Sequence, residues 1–97
     1  MEVKATGVGE VTVLGHIKSI EDYQKIKDTI KGLVSNGNKS IVVKIPDSIS
    51  MTSSVIGYFL KLINGDHVKI TMLVKDERLY SIMDAMKLIT VFDVKRM

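Results

Sequence analysis

The chain has 97 residues, 45% of them hydrophobic, and a formal net charge of +3, which suits one domain spanning residues 1–97 around one hydrophobic core. It has no cysteine, which excludes disulfides and thiolate metal sites. Its two histidines, His16 and His67, do not have the spacing of metal ligands, so we expect neither a metal nor a cofactor. The lysines are scattered, with no basic run and no tryptophan, so we do not expect the protein to bind nucleic acid. No long apolar stretch or signal peptide is present, so we expect a soluble, cytoplasmic protein that does not insert into a membrane.

The first part of the chain predicts a β-hairpin followed by a helix. Residues 2–17 have the β-branched and apolar character of two short strands around a glycine-containing turn at residues 7–9. A strand, rather than a helix, follows these glycines, which argues against a dinucleotide-binding loop. Ser19 and Asp22 have the spacing of a capping-box variant at a helix start. The buried stripe of this helix is predicted to comprise Tyr23, Ile26, Ile30, Leu33 and Val34, and residues 36–38 to end it.

The rest of the chain alternates between strand and helix patterns. Residues 40–45 predict a central strand buried on both faces, residues 68–74 another strand, and residues 90–94 a short last one. A second helix after the polar loop 48–54 is predicted to bury Ile56, Phe59, Leu60 and Ile63. A third helix, capped by Asp76, is predicted to bury Leu79, Ile82, Met83 and Met86. The order ββαβαβαβ predicts an α/β fold with a mostly parallel sheet of four to five strands and helices packed against it.

The hydroxyl-rich segment at residues 50–58 lies where a loop leads into the second helix. A helix start presents unpaired N–H groups and favours anions. Ser54, Gly57, Tyr58 and Lys61 share one helix face at i, i+3, i+4 and i+7, which indicates a contact surface for a partner protein. Two other interpretations remain open: helix capping alone, since Ser and Thr are favoured N-caps, and a nucleotide or small-ligand site at Ser53 and Ser54.

Three segments resemble the STAS family, which includes the bacterial anti-sigma-factor antagonists. Residues 52–57, Thr-Ser-Ser-Val-Ile-Gly, occupy the place of the family's Asp-Ser-Ser-Gly-Leu-Gly, residues 15–18 resemble its Gly-Glu-Leu-Asp, and residues 77–88 resemble its third helix. The resemblance implies a STAS-like domain that binds an anti-sigma factor or serine-kinase-like protein by partner switching, without catalysis. It implies phosphorylation at Ser54, with Ser53 as the alternative. The expected partner surface comprises Lys18, Thr52, Ser53, Ser54, Gly57, Tyr58 and Lys61.

The chain departs from the family pattern at several positions. Thr52 and Lys18 stand where the family has aspartate, and Val55 and Lys87 stand where it has glycine. The two missing carboxylates flank the family's phosphorylation site. They favour an alternative function, a STAS scaffolding subunit of a transporter or sensory complex that is not phosphorylated. A weak homodimer is a further expectation.

Overall fold

The computed structural model describes all residues from 1 to 97 and contains five strands and three helices in the predicted order. Their bounds are β1 (Glu2–Gly7), β2 (Glu10–Leu14), α1 (Ile20–Ser35), β3 (Ser40–Ile45), α2 (Ser53–Asn64), β4 (Lys69–Val74), α3 (Glu77–Ala85) and β5 (Val94–Arg96). The five strands form one sheet in chain order. β1 is antiparallel to β2, and every other neighbouring pair is parallel. The α/β class and the mostly parallel sheet are thus as predicted. None of the helices combines the length and apolarity needed to span a membrane.

One face of the sheet packs against the helices, and the other is open. When strands follow one another in order, right-handed crossovers place every connecting helix on the same side. The side chains of the helix-covered face are buried: Val11, Val13, Ile41, Val43, Ile45, Ile70, Met72 and Val74. The intervening side chains are half-buried: Thr12, Val42, Lys44, Thr71 and Leu73. The prediction that residues 40–45 are buried on both faces was therefore wrong, because no helix covers the second face.

The core is a single cluster of 21 buried hydrophobic residues between the sheet and the helices. Phe59 of α2 and Phe92 meet near its centre, edge to face, with ring centroids 5.8 Å apart. Such a pair contributes about 0.5–1.5 kcal/mol beyond the burial of its area.

The predicted helix stripes are correct in part. In α1, Ile26 and Ile30 are buried, and the remaining members of the stripe are half-buried against the core. In α2 the buried residues are Val55, Ile56, Phe59 and Leu62, whereas Leu60 and Ile63 are only half-buried. In α3, Leu79 and Met83 are buried and Ile82 is half-buried, whereas Met86, which follows the end of the helix at Ala85, is 50% exposed.

The last strand begins later than predicted. Residues 90–93 form turns, and β5 begins at Val94, which pairs with Met72 of β4. Asp93 has φ 46°, a left-handed conformation that interrupts an extended chain. Phe92 lies in this turn, and its side chain is buried. A buried residue with apolar sequence neighbours gives the same local pattern in a turn as in a short strand, which is why the strand was predicted here.

Candidate functional site

The loops that follow β2, β3 and β4 lie together at one end of the sheet. They do so because the carboxyl ends of parallel strands meet at the same edge of the sheet. The loop after β2 contains Lys18, and the loop after β3 leads into Thr52, Ser53 and Ser54. The topology therefore brings these predicted site residues to a common end of the domain.

Two side chains just beyond β3 hold the first two of these loops together. Asp47 accepts a hydrogen bond from the backbone N–H of Gly15 at 2.9 Å. The Ser48 hydroxyl accepts one from the N–H of Ile17 at 3.0 Å and donates one to the carbonyl of Ser50 at 2.7 Å. Ser48 is 0% exposed, so these bonds are made away from water, where losing a partner costs about 1–3 kcal/mol. The two loops are thus fixed relative to each other.

Sequence reasoning placed Asp47 and Ser48 after the strand at residues 40–45 without giving either a role, and so missed this linkage. The available signal was a pair of polar residues directly after an apolar strand, where side chains often bond to backbone groups. Nothing in the local sequence specifies that the bonded backbone belongs to the preceding loop, about thirty residues earlier in the chain.

Thr52 is the residue that caps α2. Its backbone is extended (φ −87°, ψ 155°), and its hydroxyl accepts a hydrogen bond from the N–H of Val55 at 3.3 Å. Ser53 and Ser54 are the first two helical residues; both are exposed, and their hydroxyls take no part in this cap. The capping interpretation therefore accounts for Thr52 but not for the two serines.

The outer face of α2, defined by Ser54, Gly57, Tyr58 and Lys61, is largely free of the core. Ser54, Gly57 and Lys61 are exposed, and the space beside the Gly57 Cα is open. Tyr58 is half-buried, with its ring edge-on to that of Tyr23 in α1 at 6.5 Å between centroids. Burial raises the pKa of the Tyr58 phenol, with a smaller effect from nearby Asp66. Tyr58 thus belongs partly to the packing of α1 against α2.

The same end of the sheet also exposes apolar side chains that were not predicted as site residues. Ile20, the first residue of α1, is 75% exposed, and Ile49, in the loop before α2, is 36% exposed. Lys18 lies exposed just before Ile20, and its backbone N–H donates to Asp22 at 2.9 Å. The signal that could have found Ile20 is an isoleucine at the helix start outside the buried stripe. Ile20, Ile49 and Lys18 are therefore all accessible at the end of the domain where α2 begins.

The start of α2 is a surface rather than a cavity. The one cavity in the structure is an open groove of about 350 Å³ that lies elsewhere, between β1 and α1. No three His, Asp or Glu side chains are gathered as metal ligands would be. The helix start thus offers exposed hydroxyls and N–H groups without walls to enclose a small ligand.

The fold defines an α/β domain whose mostly parallel sheet has helices on one face only. No protein-family model, curated protein or solved structure matches the chain.

Proposed function

We propose that this chain is a protein-binding regulatory domain of STAS type that docks a partner through the start and outer face of α2. Partner switching by phosphorylation of Ser54 is the mode of action, as in anti-sigma-factor antagonists, and the domain itself performs no catalysis. The observation that carries this proposal is the exposed Ser54 hydroxyl at the start of a helix that is already capped by Thr52. A kinase can reach such a hydroxyl without disturbing the cap.

The electrostatics of α2 favour a switch that acts on docking rather than on the fold. Phosphorylation adds about −1.5 to −2 charges. The first turn of α2 contains no acidic residue, and negative charge near a helix start is stabilising. The domain therefore tolerates phosphoserine at Ser54, while a partner packed against this surface meets a strongly hydrated anion. Repulsion and the desolvation penalty then release the partner.

Phosphorylation is tested with a purified anti-sigma-factor kinase from the organism that carries this chain. After incubation with ATP, intact-mass measurement should show one added phosphoryl group on the wild type and on Ser53→Ala, and none on Ser54→Ala. Phosphorylation of Ser54→Ala but not of Ser53→Ala would show that Ser53 is the acceptor. No modification of the wild type by any such kinase would eliminate the phosphorylation switch.

Docking is tested by titrating the same kinase, with ADP, against the unmodified domain. Ser54→Asp should weaken binding, because it places a charge on the proposed surface. Ser81→Asp, which adds the same charge to an exposed position of α3, is the matched control and should bind as the wild type does. Equal binding by both variants would show that the partner contacts another part of the domain.

A second candidate is an unphosphorylated scaffolding subunit of a transporter or sensory complex. Thr52 and Lys18 favour it, because they replace two carboxylates of the family pattern and so reduce repulsion toward an acidic partner. Co-purification with a transport ATPase subunit, without binding to any regulatory kinase, would select this function. Reversing both positions with Lys18→Asp and Thr52→Asp should then weaken the complex, and unchanged affinity would argue against it.

A further inference from the structure

β1 forms an open edge of the sheet. Five of its six residues are exposed, and it pairs only with β2. One row of its backbone N–H and C=O groups therefore has no partner strand, and such an edge is a template for pairing with another chain. At its far end, the register shift between Ala5 and Gly7 interrupts the regular strand.

The charges of β1 are complementary to those of its own copy. When two identical strands pair antiparallel about a two-fold axis, the residue beside the axis faces the same residue of the second copy. With the axis at Val3, Glu2 faces Lys4 of the second copy and Lys4 faces Glu2, so two opposite-charge pairs form. With the axis at Lys4, two lysines face each other. The charge pattern therefore selects the register centred on Val3.

The side chains beneath this edge are also compatible with a second copy. Glu2 and Lys4 are paired within one chain at 3.3 Å, and they lie on the open face of the sheet, across from Leu14 and Thr12. Val3 lies on the helix-covered face and packs against the core. Below it runs the groove between β1 and α1, whose lining residues are Met1, Glu2, Val3, Lys25, Asp28 and Thr29. The single lysine and single aspartate of α1 in this lining balance each other, so α1 adds no net charge that would repel a copy.

We propose that β1 pairs antiparallel with β1 of a second copy of this chain, about a two-fold axis at Val3. The pairing joins two five-stranded sheets into one, with the helices of both copies on the same face. The irregularity after Ala5 limits the paired segment to a few residues on each side of the axis. An interface of this size is at the low end for protein complexes, so the dimer exchanges readily with the monomer. It leaves the start of α2, on another part of the domain, available to a different partner.

Sedimentation velocity at low salt, over a series of protein concentrations, tests this dimer. The wild type should show reversible dimerisation that weakens at high salt. Lys4→Glu and Glu2→Lys each place like charges opposite one another twice across the axis, and each should weaken dimerisation roughly tenfold. The double variant Glu2→Lys/Lys4→Glu restores opposite charges in the same register and should dimerise as the wild type does.

Lys39→Glu is the matched control, because it changes the net charge as Lys4→Glu does but at an exposed position outside β1, and it should leave dimerisation unchanged. Circular dichroism of each variant verifies the fold. A wild type that stays monomeric at its highest soluble concentration would overturn the proposal. So would single variants that dimerise like the wild type, or a double variant that fails to recover.

Discussion

Gly57 lies in the middle of α2, where a glycine destabilises a helix by about 0.5–1 kcal/mol relative to alanine. A Cβ added to it would meet nothing within 4 Å, so no contact inside the chain requires the missing side chain. The outer face of α2 therefore carries a local weakness that packing does not explain. The same is true of Gly32 in α1, so the glycine alone does not mark a docking surface, but the open space at Gly57 would let a partner approach the backbone of α2 closely.

Gly57→Ala should raise the free energy of unfolding by about 0.5–1 kcal/mol and at the same time weaken partner binding. Gly32 of α1 is the matched control: it is also helical, and a Cβ there would also meet nothing within 4 Å. Gly32→Ala should stabilise the domain by a similar amount and leave binding unchanged. Urea denaturation and titration with the partner measure the two effects. If Gly57→Ala binds as tightly as the wild type, the partner does not contact this helix face.

The residues at the start of α2 show how far sequence reasoning reaches at this scale. The order of a strand, a polar loop and an amphipathic helix was sufficient to predict that Ser54 would be exposed at a helix start. It could not distinguish which of three consecutive hydroxyl residues makes the cap, because Thr52, Ser53 and Ser54 are all suitable. The structure shows that Thr52 makes the cap, because its hydroxyl accepts the hydrogen bond from the N–H of Val55. The bonding partner of Ser48 was out of reach, since Ile17 lies in a different loop.

The turn between β1 and β2 depends on one of its two glycines. Gly9 has φ +65°, its carbonyl accepts a hydrogen bond from Val42 of β3 at 2.8 Å, and an added Cβ would lie 2.7 Å from the Ser40 carbonyl oxygen. Gly7 has no such restriction, because its nearest contact would be 3.4 Å from the Glu10 Cβ. The turn thus docks the β-hairpin against the central strand through Gly9.

Gly9→Ala should destabilise the domain by more than about 1 kcal/mol, because it combines left-handed strain with a backbone clash. Gly7→Ala, in the same turn, should change stability by no more than about 0.5 kcal/mol. Thermal and urea unfolding of both variants compare the two sites. Equal effects of the two substitutions would contradict the assignment of the constraint to Gly9.

At the scale of whole elements, the sequence predicted the type and order of all eight. One error arises because local patterns do not encode which surfaces are covered from a distance, and another because they do not encode where a turn replaces a strand. The apolar run at residues 41–43 is typical of a strand that is buried on both faces of the sheet. Because the strands follow one another in chain order, one face of the sheet stays open, and Val42 on that face is half-buried. Residues 90–94 have strand-like composition, yet Phe92 reaches the core from a turn, and the strand begins only at Val94.

For the molecule as a whole, three carboxylates couple folding to pH. A hydrogen bond from Thr6, with further contributions from Lys44, lowers the pKa of Glu10. The backbone N–H of Lys18 is the largest cause of the lowered pKa of Asp22. The side chain of Arg78 lowers the pKa of Asp76 from 3.8 to about 2, through two hydrogen bonds of 3.0 and 2.7 Å.

Each of these groups holds its proton more weakly in the folded chain than in the unfolded one. Their stabilisation is therefore complete above the ordinary pKa values, 4.5 for Glu10 and 3.8 for Asp22 and Asp76, and is lost as pH falls through the lower folded values. The free energy of unfolding should fall as the solution is acidified below about pH 4.5.

Asp76→Asn should make this fall shallower between pH 3.8 and about 2, while still capping α3, since asparagine caps as well as aspartate. Arg78→Gln, which removes the main cause of the lowered pKa, should flatten the same range. Urea unfolding across this pH range measures the slopes, and wild-type slopes in both variants would show that the Asp76–Arg78 pair does not link folding to pH.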